Sequence, residues 1–319
     1  MTTTRSLAPA DREGTVAFGE HETWYRITGE LRPGVAPLVA LHGGPGCTHD
    51  YLLTIADLAA RTGRPVVHYD QLGNGRSTHL PDHGADFWTV ELFLAELDNL
   101  LAALGVQNGY HLLGQSWGGM LGAEHAVRRP AGLRSLVIAD SPASMQTWVA
   151  EANRLREQLP PEVDETLLAH EAAGTYDDPA YQAAMQVFYD RHVCRVVPNP
   201  PEVQATFAAM EANPSVYMTM NGPSEFHVIG TLRTWSIVDR VDRIAVPVLL
   251  VTGAHDEATP ACVQPYADRI PDVRWHVLPE SSHMPHVEQR DDFMELVAGF
   301  LAQVDAAGAD GAEVEGMAS

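Results

Sequence analysis

The chain has 319 residues, 45% of them hydrophobic and 19% charged, with a formal net charge of −22. That fits one large soluble α/β domain with an insert, or two domains. All 20 basic residues are arginine, since the sequence contains no lysine; this excludes Schiff-base, P-loop-lysine and Ser-Lys chemistry, and the acidic balance argues against a nucleic-acid surface or docking on anionic lipid.

Residues 1–13 form a loose lead. Thr15–Phe18 and Thr23–Ile27 alternate apolar and polar side chains around Gly19–Glu20–His21, which predicts an antiparallel hairpin. Pro37–Leu41 is a short buried strand, followed by the glycine turn His42–Gly43–Gly44–Pro45–Gly46. Tyr51–Ala60 has helical character. Pro65–Tyr69 is the next strand and opens into the glycine-rich loop Asp70–Ser77. Phe93, Leu97, Leu100, Leu101 and Leu104 fall at helical spacing, with Gly105 as the stop. The strand Tyr110–Leu113 leads into Gly114–Gln115–Ser116–Trp117–Gly118 and a helix to about Arg129, then the strand Leu136–Ala139 ends at Asp140–Ser141–Pro142.

The texture changes from about 143 to 235, where helical stretches (Met145–Gln158, Tyr181–Val193, Pro201–Ala212) are broken by prolines. The α/β rhythm returns with the strands Val246–Val251 and Val273–Leu278 and a last helix carrying Phe293, Leu296, Val297, Phe300 and Leu301. The expected organisation is a core over 1–142, a helical cap insert over 143–235, the rest of the core over 236–305, and a disordered acidic tail over 306–319. Alternation of buried strands with helices implies a mostly parallel central sheet with helices on both faces. Sites in such sheets lie at the carboxyl ends of the strands, where the glycine turn, the Asp70 loop and Ser116 fall.

A serine between two glycines at a strand-to-helix junction has the layout of a nucleophile elbow. A serine hydroxyl needs a histidine to take its proton and a carboxylate to hold that histidine. Asp256 follows the Val246–Val251 strand and is the candidate acid, with Asp140 as its rival. His283 follows the Val273–Leu278 strand and is the candidate base, with His286 as its rival. Two backbone N–H donors are needed for an oxyanion. Trp117, after the serine, is one candidate and Gly44 the other; Pro45 has no N–H. Histidine spacing supports no metal site, and serine acyl transfer needs no cofactor. Cys47, Cys194 and Cys262 form no C-x-x-C pattern, Met1 to Ala10 lacks the apolar core of a signal peptide, and no apolar run approaches the ~20 residues of a membrane span. A cytoplasmic protein with no membrane or nucleic-acid partner is expected; the oligomeric state stays open.

His42–Gly46, Tyr69–Asp70–Gln71 through Gly75–Arg76–Ser77, Gly114–Gly119, and Met220–Asn221–Gly222–Pro223–Ser224–Glu225–Phe226 together resemble the proline iminopeptidase family of α/β-hydrolases and the related L-amino-acid amidases. The resemblance spans about residues 36–300. It implies an α/β-hydrolase fold and removal of an N-terminal residue, proline or another small or apolar one, from short peptides or amino-acid amides. It also implies that Glu225 and Glu257 grip the substrate's free ammonium. Tyr217, Trp148, Phe188 and Tyr189 are candidate pocket residues. The alternatives are a carboxylesterase or lipase acting on uncharged acyl esters, and a non-catalytic binding protein on the same fold. Buried acids discriminate against the ester reading, because an apolar acyl pocket has no use for them.

Overall fold

The alternating residues at the start of the chain pair as a hairpin in the computed structural model, which describes residues 6–317. Strands β1 (Arg12–Phe18) and β2 (His21–Thr28) run antiparallel with Val16 opposite Thr23. Next come β3 (Leu38–Leu41), a 3-10 segment Asp50–Ala56, α1 (Asp57–Thr62) and β4 (Val66–Tyr69). Then follow α2 (Val90–Ala103), β5 (Tyr110–Gln115), α3 (Trp117–Val127) and β6 (Leu133–Ala139).

Five helices occupy the interval before the next strand: α4 (Met145–Arg156), α5 (Pro161–Ala173), α6 (Pro179–His192), α7 (Pro201–Ala212) and α8 (Ser215–Met220). The chain closes with β7 (Val248–Gly253), α9 (Pro260–Arg269), β8 (Val273–Leu278), α10 (Pro285–Glu288) and α11 (Arg290–Met317). The sheet order is β1-β2-β4-β3-β5-β6-β7-β8. The β1–β2 and β2–β4 pairs are antiparallel and all others parallel.

Strand β3 shows why the sheet is covered on both faces. Its four side chains are all buried, and the period of two sends them to different cores. Leu38 and Ala40 join Leu52, Ile55 and Leu58 from the 3-10 segment and α1, with Phe293 and Val297 of α11. Val39 and Leu41 join Leu97 and Leu100 of α2 and Ala123 and Ala126 of α3. Each fully buried aliphatic side chain contributes about 1.5–3 kcal/mol relative to exposure. A third cluster joins Trp88, Phe93, Trp117 and Met120 of the sheet side to Met145 and Trp148 of α4 and Val216 and Met220 of α8. This cluster holds the helical insert against the carboxyl edge of the sheet.

The Pro160–Pro161 break falls between α4 and α5, and Pro161 is the first residue of α5, where the missing N–H costs nothing. Two local expectations need correction. The helix expected over Tyr51–Ala60 begins as a 3-10 turn, and its α-helical part ends at Thr62. The acidic tail expected to be disordered from 306 continues α11 to Met317. That stretch has no proline and many alanines, and it extends a helix already nucleated by its apolar stripe.

Candidate active site

Strand β5 ends at Gln115 and α3 begins at Trp117, so Ser116 occupies the junction itself, at φ 55° and ψ −124°. A side chain at positive φ is strained and persists only where its surroundings impose it. The flanking glycines are that surrounding. A Cβ on Gly114 would lie 2.1 Å from the Gly118 carbonyl oxygen, and one on Gly118 would lie 2.0 Å from the Leu41 carbonyl oxygen. Strand, turn and helix therefore pack backbone to backbone. Trp117 is the first residue of α3, and its N–H has no intrahelical acceptor.

The His283 ring lies on the loop between β8 and α10. Its Nδ1 is 2.6 Å from Asp256 Oδ1, which also accepts the Ala258 amide at 2.8 Å. Asp256 follows β7, and both residues are almost fully buried. Burial opposes charge on this imidazole, but the Asp256 charge and hydrogen bond, then Glu225 and Glu288, outweigh it and hold its pKa above the ordinary histidine value. Nε2 of His283 has no hydrogen-bond partner among the described residues. It is free to face a hydroxyl, although it makes no hydrogen bond to Ser116 in this state.

Neither rival bonds the other candidate. His286 is fully buried and bonds the Tyr51 carbonyl through Nε2 at 3.1 Å, and burial pushes its pKa down to about 3. Asp140 follows β6 at φ 52° and accepts the Gly253 amide at 3.2 Å. The His283 ring bonds to Asp256 and not to Asp140.

A hydrogen-bond relay that sequence reasoning missed ties the glycine turn to the histidine loop. The Gly43 amide donates to the Tyr51 hydroxyl at 2.7 Å, which donates to Gln115 Oε1 at 2.5 Å; Gln115 Nε2 donates to the His283 carbonyl at 2.8 Å. A second latch passes through Gln71. Its amide and side-chain N–H groups donate to His42 Nε2 and the His42 carbonyl, both at 2.9 Å, and its Oε1 accepts Trp117 Nε1 at 2.8 Å. Gly44 and Trp117 are thus fixed relative to one another from both sides. The only sequence signal was the position of Gln71 and Gln115 inside glycine-rich turns.

Gly44, Ser116, Trp117, Trp148 and Glu225 line one cleft, together with Met120, Met145 and Leu232. Its volume is about 10 Å³, roughly the space of one water. Glu225 follows α8. Its Oε1 accepts the Tyr217 hydroxyl at 2.6 Å, its amide donates to the Tyr189 hydroxyl, and its carbonyl accepts Trp148 Nε1 at 2.6 Å. Burial raises its pKa against the opposing pull of Tyr217 and His283. Glu257, beside Asp256, is fully buried, with no donor to either carboxyl oxygen, and its Oε1 is 3.8 Å from His283 Nε2. Burial, then Glu225 and Asp256, push its pKa well above the carboxylate range. The Trp148 ring stands edge-on to His283, centroids 5.6 Å apart. Of the four aromatic residues singled out, only Trp148 lines the cleft; Tyr217 and Tyr189 hydrogen-bond to Glu225 without lining it, and Phe188 packs into the core against Phe226 and His192.

Chemically, this arrangement offers a serine hydroxyl on a strained turn, an imidazole held by a carboxylate, two backbone amides at a turn and a helix start, and two carboxyl groups without an arginine partner among the described residues. The family described as alpha/beta hydrolase fold matches residues 36–289, and the chain is an α/β hydrolase. The chain is 36% identical over 294 residues to the proline iminopeptidase of Lactobacillus delbrueckii subsp. lactis, covering 92% of this chain and 99% of that one. On that likeness it belongs to the proline iminopeptidase family. Among solved structures it is similar to VinJ (59% identity, TM-score 0.91) and to the proline iminopeptidase of Mycobacterium smegmatis (55% identity, TM-score 0.87); each likeness covers 93% of this chain and 100% of the other.

Proposed function

We propose that the protein is a serine aminopeptidase that removes the N-terminal residue, proline or another small apolar one, from short peptides or amino-acid amides. Ser116 Oγ attacks the carbonyl carbon of the first residue while His283 Nε2 takes the hydroxyl proton. Asp256 holds the Nδ1–H and stabilises the imidazolium. The oxyanion accepts the amides of Gly44 and Trp117. The C–N bond breaks, the leaving amine takes the proton from His283, and water then cleaves the acyl-enzyme by the same route.

One observation carries the reading: Glu225 lines the cleft beside Ser116 and Glu257 lies 3.8 Å from His283 Nε2, and neither carboxyl group has an arginine partner among the described residues. A buried acid without a counter-ion is costly. A substrate ammonium between the two supplies that counter-ion and fixes the scissile bond one residue away. An uncharged acyl chain would gain nothing from them, so the ester alternative is not favoured.

Among the described residues no helix is long and apolar enough to cross a membrane. Three unpaired cysteines, Cys47, Cys194 and Cys262, support a reducing compartment and hence the cytoplasm. The activity is tested by incubating the protein with a tripeptide that begins with proline or alanine, and with its N-acetyl form. Release of the free first residue from the former alone is expected. Cleavage of both, or of neither, contradicts the proposal.

A further inference from the structure

The end of β6 carries a second acid that the proposed mechanism does not use. Asp140 is fully buried at φ 52°, a conformation that asparagine, aspartate and glycine tolerate better than other residues. Its Oδ1 accepts the Gly253 amide, whereas its Oδ2 has no donor among the described residues. Asp256 has the same asymmetry. Its Oδ1 serves His283 and Ala258, and its Oδ2 is buried without a donor. The Asp140 amide donates to the Val251 carbonyl at 2.9 Å, its carboxyl takes the Gly253 amide, and the Asp256 amide donates to the Gly253 carbonyl at 3.4 Å, so the two carboxyl groups meet beyond the end of β7 and interact there. Two ionised carboxylates cannot bond, but a carboxylic acid and a carboxylate can.

We propose that Asp140 is a positioning residue: a neutral carboxylic acid whose O–H donates to the free oxygen of Asp256 and so locks the carboxylate that orients His283. This rests on the reading of Asp256 as the triad acid. Of the pair, Asp140 is the one to hold the proton. Asp256 has the His283 ring and an amide to compensate a negative charge, whereas Asp140 has only the Gly253 amide. Burial, then the Asp256 charge and hydrogen bond, push the Asp140 pKa well above the carboxylate range, and Glu288 on α10 adds to this. No arginine or histidine among the described residues pairs with Asp140. The arrangement is that of a carboxylic acid kept neutral so that it can donate. With one oxygen held by an N–H and the other by an O–H, the Asp256 carboxylate cannot rotate away from Nδ1.

The test uses D140N and D140G. The amide of D140N keeps the Gly253 acceptor, supplies an N–H in place of the O–H and adds no charge. Glycine accepts the positive φ and removes the donor without backbone strain. D140N is expected to hold kcat/KM for an alanyl anilide within about threefold of the parent, with the acid limb of its pH profile unmoved. D140G is expected to lose kcat by about tenfold or more, with the acid limb moved to higher pH, because the donor that tempers the Asp256 charge is gone. An acid limb that moves to lower pH in D140N would mean that Asp140 is ionised, and overturns the proposal. So does a D140G enzyme with parental kcat and profile. D256N serves as the control: if it retains activity, the triad reading itself fails, whatever the Asp140 variants do.

Discussion

Glu257 Oε1 lies 3.8 Å from His283 Nε2, the nitrogen that the proposed mechanism requires for the Ser116 proton, and neither oxygen of that carboxyl has a hydrogen-bond donor among the described residues. A carboxyl so placed holds its proton until a cation arrives. The substrate's ammonium is the cation that the proposed function brings there.

The first prediction concerns affinity. Because Glu257 titrates well above the usual carboxylate range, binding an ammonium below that pKa must expel a proton to solvent. KM for an alanyl anilide is therefore expected to rise as pH falls, approaching tenfold per pH unit, or about 1.4 kcal/mol. Steady-state kinetics from pH 5 to 8 measure it. A KM independent of pH over that range counts against a protonated Glu257, and E257Q should flatten the dependence while raising KM at neutral pH.

The second concerns the base. His283 is held above the ordinary histidine pKa, chiefly by Asp256 against the opposing effect of burial. Below its pKa the imidazolium cannot accept a proton, so kcat/KM falls on the acid side, beginning at a higher pH than an unperturbed histidine would give. D256N removes the anion, moves that limb to lower pH and lowers kcat by about 10⁴. A D256N enzyme with an unmoved limb would separate Asp256 from the titrating group.

Much of this arrangement was legible in the sequence, for physical reasons. Strands such as Leu38–Leu41 are buried on both faces and read as continuous apolar runs. Ser116 declared itself because Gly114 and Gly118 tolerate no Cβ. Asp256 and His283 were found by asking which acid and which histidine follow a late strand. What escaped were contacts between residues distant along the chain. Gln115 reaches His283 and Tyr51 reaches Gln115 across 168 and 64 positions, and no local pattern marks such bonds. Helix α5 escaped because it is polar nearly all round, with only Leu167 buried. Asp140 stood in the sequence as a rival to Asp256, and only the sheet order, which sets β6 beside β7, shows the two acids together.

The third prediction follows from the relay. Y51F deletes the hydroxyl that accepts the Gly43 amide at 2.7 Å and donates to Gln115. The buried amide loses its partner, and the turn bearing Gly44 loosens. An unfolding free energy lowered by about 1–3 kcal/mol, with kcat reduced about 10- to 100-fold and KM little changed, is expected from denaturation curves and kinetics. A large rise in KM with kcat intact would instead place Tyr51 in substrate binding.

The fourth concerns Tyr217, whose hydroxyl donates to Glu225 at 2.6 Å. Y217F leaves Glu225 easier to protonate and less able to hold an ammonium. KM for the free-amine anilide should rise about 10- to 100-fold, the worth of one hydrogen bond to a charged group. Turnover of a propionyl anilide, which has the same scissile bond and no amine, should be unaffected. Equal losses on both substrates would show that the variant has disturbed the cleft as a whole.

The most direct test of the account compares alanyl p-nitroanilide with its N-acetyl form and with a butyrate ester, with S116A as the blank. The account predicts cleavage of the free-amine anilide, little or none of the acetylated one, and no turnover by S116A, so that the ammonium is what the site reads. Hydrolysis of the ester alone, or equal hydrolysis of both anilides, would contradict it and leave Glu225 and Glu257 without the role assigned to them.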